Sequence, residues 1–316
     1  MELPYNALDH ELGVVSKAIA ESRTRVLQQQ PPPRLYHYTD TTGLLGILTS
    51  SRLWATHYRY LNDAAEVGHG VALFEQIVQA RTDATQEPVV REFLRRSVRT
   101  ANAFDGMSDA YVACFCEDGD LLNQWRAYGN RDSGYAIGFE SRFIGLRQRI
   151  ENLSQDFILR RVEYDEQVQR ELITEVVDRT AAVLGNATKG ISVEDSNRAI
   201  ANCCRFVRAE IIDYFLCFKH GAFKSEQEWR LCHVSVPRET PDLCFRGGAY
   251  GITPYVCLDP SPMAGANANK LPISSIRHGP THYAENVQFG LKKLLRKLGY
   301  AFVNVSGTAL SVRLGH

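Results

Sequence analysis

Glu226, Glu228 and Arg230 fall two residues apart in the run Phe223-Lys224-Ser225-Glu226-Gln227-Glu228-Trp229-Arg230-Leu231. On a strand, alternation puts these three on one face and Gln227, Trp229 and Leu231 on the other. An acid pair beside a fixed cation suits a cleft better than a dry core. A histidine stands in an early β-prone run, Leu35-Tyr36-His37-Tyr38-Thr39-Asp40, that stops at a helix start. A third run extends from Asp120 to Gly129 and sets Trp125 and Tyr128 three apart. As a helix it places both rings on one face with Leu121 and Leu122, and Arg126 at the edge.

Each feature also has a plain structural reading. His37 alone reads as a satisfied core or turn histidine. The two acids alone read as an exposed strand face paired with Lys224 and Arg230. The aromatic helix alone reads as a packing face. Together they read as more. An aromatic face stacks a planar ring, and an arginine suits a pyrophosphate. Histidine, ring and carboxylate are the groups needed to hold NAD and break its glycosidic bond. The histidine anchors a ribose hydroxyl and the aromatics clamp the nicotinamide. The carboxylate holds the nicotinamide ribose and stabilises developing oxocarbenium charge.

Other chemistries have less behind them. The histidines are scattered, with no His-x-x-x-His pair on a helix, and no metal site is expected. There is no Gly-x-Ser-x-Gly, and Cys116 has no hydrolase signature around it. No Gly-rich loop precedes a Lys-Ser/Thr pair, so phosphoryl transfer is unsupported. None of the eight cysteines forms a Cys-x-x-Cys pair, and they read as free, mostly buried thiols.

The elements that must position these residues can be read from periodicity. Residues 6–29 predict an amphipathic helix, ended by Pro31-Pro32-Pro33; residues 1–33 read as a helical appendage and stiff linker. Such a helix could dimerise or mask a site. Leu35–Thr39 predicts a strand, and Asp40 or Thr39 caps a short helix. Leu53–His57 predicts a strand, and Asp63-Ala64-Ala65-Glu66 a capping box opening the next helix. Helix is expected at 88–103, 166–185, 193–218 and 284–298. Further strands are expected at 110–116, 134–140, 159–164, 229–236, 255–258, 273–278 and 301–306. Helices and strands lack a regular βαβ rhythm. The expected fold is therefore α+β, a mixed, mostly antiparallel sheet in one domain spanning 34–316, with a helical insertion at about 166–218.

The bulk numbers bound the partners. Of 316 residues, 44% are hydrophobic and 23% charged, which is ordinary for a globular protein. Lys plus Arg and Asp plus Glu both total 36, giving zero net charge and no general nucleic-acid footprint. The start MELPYNALDHELG lacks a basic and an apolar region, and no run reaches the roughly 18 apolar residues of a membrane helix. A cytoplasmic protein with no membrane contact is expected.

At these residues the chain resembles a bacterial family long labelled as a domain of unknown function. The likeness is carried by Leu35–Thr39, Gly43–Leu48, Leu53–Thr56, Leu61-Asn62-Asp63 with Glu66, and Cys114-Phe115-Cys116-Glu117. It continues through Gln124-Trp125-Arg126-x-Tyr128, Glu226-x-Glu228-Trp229-Arg230 and Gly279-Pro280. That family distantly resembles the ADP-ribosyltransferase superfamily in the order of its parts: an early His strand, a central strand leading to an aromatic helix, a late Glu-x-Glu strand.

The resemblance implies an ADP-ribosyltransferase-like sheet core and NAD as substrate. It implies Glu228, Glu226 and His37 as the catalytic set, with Glu226 addressing the acceptor. The NAD-binding set would be Tyr36, His37, Tyr38, Thr39, Trp125, Arg126 and Tyr128. Cys116 stands where many relatives have Ser. The acceptor would be a protein or nucleic acid, and the setting a toxin, with an antitoxin as partner, or an antiphage effector. An NAD glycohydrolase and a non-catalytic nucleotide- or partner-binding module are the alternatives. The reading expects His37, Glu228 and Trp125 or Tyr128 to line one cleft. It also expects neutralisation of Glu228 to change stability little.

Overall fold

The computed structural model describes residues 5–61, 65–102, 109–128, 134–144, 147–148, 157–235, 243–248, 251–258 and 270–310. In chain order the first half holds α1 (Tyr5–Leu27), β1 (Arg34–Thr39), α2 (Thr41–Ser50), β2 (Leu53–His57), α3 (Ala65–Ala84), α4 (Pro88–Asn102), β3 (Asp109–Cys116), α5 (Leu122–Tyr128), β4 (Tyr135–Glu140), the short α6 (Ser141–Ile144) and β5 (Arg147–Gln148). Then come β6 (Phe157–Arg161), α7 (Glu166–Ala187), α8 (Val193–Cys217), β7 (Glu228–Ser235), β8 (Leu243–Gly248), β9 (Gly251–Leu258), β10 (Ile273–His278), α9 (Ala284–Lys297) and β11 (Asn304–Gly307).

The chain divides into two compact units. One comprises Met1–Gln29, Asp63–Ser108 and Val162–Ala222, and the other Gln30–Asn62, Asp109–Arg161 and Phe223–His316. The first is helical. Its helices start where side chains can accept the free N–H groups of a first turn. Asp165 Oδ1 accepts from Gln167 N at 2.9 Å, and Ser192 Oγ from Asp195 N at 3.1 Å. The N-terminal helix is not an appendage. It buries Leu8, Leu12, Val15, Ile19 and Leu27 in this unit, against α7 and α8. Ser16 donates to Glu210 at 2.6 Å, and Arg23 lies 3.2 Å from Glu210 and 3.3 Å from Asp213. The helical insertion expected at 166–218 is thus one part of a larger helical unit. The capping box at Asp63 lies partly outside the described residues.

The second unit carries the eleven strands found among the described residues. The sheet runs β11-β10-β4-β1-β3-β2-β9-β8, with β7 paired to β3 and β6, and β6 to β5. The pairs are antiparallel except β10 with β11. This is the expected α+β, mostly antiparallel architecture. One face buries Leu35, Tyr111, Phe115, Ile137, Phe139, Trp229 and Leu231 in the main core. The other face carries a smaller cluster of Tyr38, Cys116, Trp125 and Ala136, with Tyr36, Leu121 and Tyr128 against it. Among the described residues no helix is long and apolar enough to cross a membrane.

In α2, Asp40 is the N-cap, its Oδ1 accepting from Gly43 N at 2.7 Å. On the same helix a Cβ at Gly46 would overlap the Trp54 ring of β2. Gly46→Ala gains helix propensity of roughly 1 kcal/mol but must displace that ring. We expect a net loss of about 1–3 kcal/mol, the scale of overpacking. Urea unfolding should show a lower midpoint at unchanged slope; a raised midpoint would show that the ring yields freely.

Candidate functional site

β3 is the strand on which the sequence-predicted residues converge. One edge is fully taken by β7, in register from Asp109↔Ser235 to Cys116↔Glu228. The other edge is shared. β1 meets it at Tyr36↔Cys116, and β2 at Thr56↔Val112 and His57↔Tyr111. Between these contacts β1 and β2 diverge, and the sheet splits. The His37 ring enters this split and bonds the Cys114 carbonyl through Nδ1 at 2.8 Å. In the neutral ring that nitrogen donates, which leaves Nε2 as an acceptor. Among the described residues Nε2 meets no protein partner. Phe115 lies beside the ring at 5.9 Å between centroids.

The register puts Tyr36, Cys116 and Glu228 in one row across three adjacent strands. Two strand spacings, about 10 Å, separate its ends. Paired residues share a face, so Glu228 and Arg230 lie with Cys116, and Trp229 lies with Phe115 in the main core. By alternation His37 belongs to the Leu35 face, opposite Glu228. The expected single cleft is therefore corrected. His37 and Glu228 are near in register, but only the ring's place in the split brings His37 away from the core face.

The acids differ from expectation too. Glu228 begins β7, and its carboxylate takes Arg230 Nε and Nη2, both at 2.9 Å. Their side chains are 5% and 2% exposed. This is a bidentate ion pair in a nearly dry setting, not an open acid pair. Glu226 does not share the strand. It ends a tight 3-10 turn, Gly221–Glu226, and Gln227 then turns the chain through φ 43°. A side chain in that left-handed region is strained, so the two acids are set by a kink and not by strand alternation. Glu226 is instead tied to the aromatic helix, accepting from Asn123 Nδ2 at 3.3 Å.

That helix, α5, is positioned by Asp120 just before it. Asp120 accepts from Trp125 Nε1 at 2.8 Å, from Ala309 N at 2.9 Å and from the Thr308 hydroxyl, and Arg277 lies 3.3 Å away. Burial raises its pKa, but these hydrogen bonds and the arginine outweigh burial and hold it below the usual value. Trp125 is 4% exposed and meets Tyr38 edge-on at 4.9 Å. It is a packing residue here, without an open stacking face. Of the binding residues expected on α5, Tyr128 is half-buried, 6.5 Å from Tyr38, and Arg126 is exposed. Leu122 points outward, contrary to expectation. Tyr38 is fixed through its hydroxyl, which donates to Asp118 O at 3.0 Å and accepts from Leu121 N at 2.9 Å. Thr39 is buried under the first turn of α2. Half-buried Tyr36 lies against Gly119, where any Cβ would overlap its ring.

One residue of this neighbourhood was not expected. Arg246, from the unforeseen β8, lies over the Trp54 ring at 5.1 Å and the Tyr255 ring at 5.4 Å. Its Nη2 donates to Thr56 Oγ1 at 2.7 Å. β8 alternates half-buried with exposed residues and buries none, so its run offers no core-facing stripe to the reader of a sequence. Burial pulls the Arg246 pKa below its ordinary value, opposed by Tyr255, Asp40 and Tyr128. Burial likewise pushes His37 down to about 4, opposed by its bond to Cys114 and assisted by the nearby Arg246 charge. Among the described residues no cluster of three or more histidine, cysteine or acidic side chains could hold a metal.

Residues 124–231 match a family model described as Protein of unknown function (DUF2971). The match covers about a third of the chain, from α5 to the middle of β7, so it takes in Glu226–Arg230 and leaves out the His37 strand. Over that stretch the chain is similar to a family whose activity the model does not state. No curated protein and no solved structure matches the chain.

The half-buried His37 ring and the buried Glu228–Arg230 pair each have a measurable consequence for stability. His37 has a folded pKa below its unfolded value, so the unfolded chain binds the proton more readily between the two. Stability is full above about pH 6.5 and falls as pH drops toward about 4, by at most roughly 3 kcal/mol. His37→Asn should flatten urea-derived stability across that window; an unchanged slope would place the titration elsewhere. The second concerns the ion pair. Removing one partner leaves a buried charge, so Glu228→Gln should cost about 3–5 kcal/mol. This reverses the expectation of a near-neutral change. The double change Glu228→Gln with Arg230→Met should recover most of that loss in a double-mutant cycle.

Proposed function

We propose that this protein is an NAD-dependent ADP-ribosyltransferase acting on a macromolecular acceptor. The observation that carries the reading is the row Tyr36–Cys116–Glu228. It sets the early histidine strand, the central strand with its aromatic helix and the late Glu-x-Glu strand side by side. In this reading the His37 Nε2 accepts from a ribose hydroxyl at the split. Tyr128 and Arg126 meet the exposed end of the ligand. The bond between the nicotinamide nitrogen and ribose C1′ breaks, and its electrons leave with nicotinamide. Glu228, oriented by Arg230, faces the positive charge that develops on the ribose. A nucleophile of the acceptor then bonds to C1′, and Glu226 takes its proton.

A second reading is a nucleotide-binding module without cleavage. It is favoured by the closure of Glu228 on Arg230, which leaves that carboxylate already engaged.

Nicotinamide release from NAD separates the two, measured in buffer and with cell lysate. A transferase should release nicotinamide and label a lysate component; release in buffer alone would point to hydrolysis. The Glu228→Gln, Arg230→Met double variant keeps the packed pair neutral, so its loss of activity is separable from loss of fold. We expect a fall of about a hundredfold or more, the scale of losing one electrostatic stabiliser. Glu226→Gln should spare release to water and suppress transfer. A folded wild-type protein that releases no nicotinamide under either condition would end the transferase reading.

A further inference from the structure

Arg246 is half-buried on β8. A half-buried arginine normally has a carboxylate beside it, because a desolvated charge is costly alone. Among the described residues no carboxylate hydrogen-bonds Arg246; Asp40, close enough to favour its charge, caps α2 through Gly43 N. Arg246 meets one hydroxyl, Thr56 Oγ1 at 2.7 Å, and two ring faces, Trp54 and Tyr255. The rings are 4.8 Å apart and tilted by 37°, and they fix the guanidinium without neutralising it. A guanidinium has five N–H donors in a planar fork. One serves Thr56, and the remainder have no protein acceptor among the described residues. Thr56 accepts from Arg246, so its own O–H is available to donate.

The ligand chemistry follows from these donors. A planar fork beside a hydroxyl matches the oxygens of a phosphate. The neighbouring His37 is of the opposite kind. With Nδ1 bonded to the Cys114 carbonyl, its Nε2 accepts and suits a ligand hydroxyl. Phosphate beside hydroxyl is the pattern of a ribose phosphate. We propose that Arg246 and Thr56 form a seat for a phosphate of a nucleotide, with Trp54 and Tyr255 holding the guanidinium in place. That the phosphate is the pyrophosphate of NAD rests on the proposed function; the seat itself does not.

Calorimetric titration of the full chain with ADP-ribose, inorganic pyrophosphate and adenosine tests this. The wild type should bind ADP-ribose at least tenfold more tightly than adenosine. Arg246→Gln should weaken ADP-ribose binding by about 10- to 100-fold, the worth of one hydrogen-bonded charge, and leave adenosine unchanged. Arg246→Lys should fall between, since it keeps the charge and loses the fork. Thr56→Val keeps volume and the ring packing, and should give a smaller loss. This second position covers the case in which Arg246→Gln disturbs Trp54 and Tyr255. A wild type that binds neither ADP-ribose nor millimolar pyrophosphate overturns the seat, as do Arg246 and Thr56 variants that bind ADP-ribose like the wild type. If ADP-ribose binding depends on Arg246 while NAD yields no nicotinamide, the seat stands and the transferase reading falls. If NAD is cleaved and ADP-ribose binding ignores Arg246, the reverse holds.

Discussion

The bond from His37 to the Cys114 carbonyl resolves a conflict on which the sheet depends. Two strands, β1 and β2, claim the same edge of β3, and they cannot both run along it. They divide it, β1 at Cys116 and β2 at Val112 and Tyr111. A backbone carbonyl left between them without a donor would cost on the order of 1–3 kcal/mol where water is excluded. The imidazole supplies the missing donor without another strand. That choice fixes the ring's tautomer and aims its second nitrogen away from the backbone. Burial and the nearby Arg246 keep the ring neutral, which the role requires, since only a neutral ring offers an acceptor at Nε2. The same group thus completes the sheet and presents a polar atom at the split.

Glu228 and Arg230 pose a different balance. Two charges taken from water lose hydration, and their attraction recovers it only with close, saturated geometry. The fork-on-carboxylate contact at 2.9 Å on both oxygens meets that condition. Spacing i, i+2 on a strand makes such contact available, because both side chains leave the same face. In register the pair sits opposite Cys116 and Cys114 on β3, and Arg230 opposite the buried Arg160 on β6. The carboxylate is held in one orientation by its own strand, which suits an electrostatic role: a fixed charge needs no reorganisation when positive charge develops nearby.

Much of this was legible in the sequence, for identifiable reasons. β1, β2, β3, β4 and β10 each carry a short apolar run ending in a turn or cap, and their bounds fell within a residue or two of those read. Asp40 was legible as a cap because a short acid preceded a helical pattern. What was not legible depended on partners distant in sequence. Periodicity identified α1 as a helix but could not supply the α7 and α8 faces that bury Leu12 and Ile19. Trp125 read as an aromatic wall because its spacing was right; only the fold reveals Asp120 on its indole nitrogen and Tyr38 at its edge. Glu226 and Glu228 read as strand neighbours because alternation assumes unbroken extension, and Gln227 breaks it. β8 escaped because a strand that buries no residue has no stripe to read.

That last omission bears most on function. The early histidine, aromatic helix and late acids all occur in recognisable local runs, so a reader of the chain assembles a site from them alone. Arg246 stands in no such run. It arrives through β8 and β9, which add to the sheet beyond β2 and carry the guanidinium back over Trp54 to Thr56. Its charge reaches His37 strongly enough to disfavour the protonated ring. The hairpin therefore does more than lengthen the sheet. It brings a cation to the β2 side of a split whose β1 side offers a neutral acceptor. In the proposed seat, a ligand entering there would meet an anion-seeking group and a hydroxyl-seeking group together. Neither group alone selects a nucleotide, but a molecule satisfying both must carry negative charge and a hydroxyl close by. This requirement narrows the ligand class further than the acids do, because a carboxylate already bound by arginine has less capacity left to discriminate.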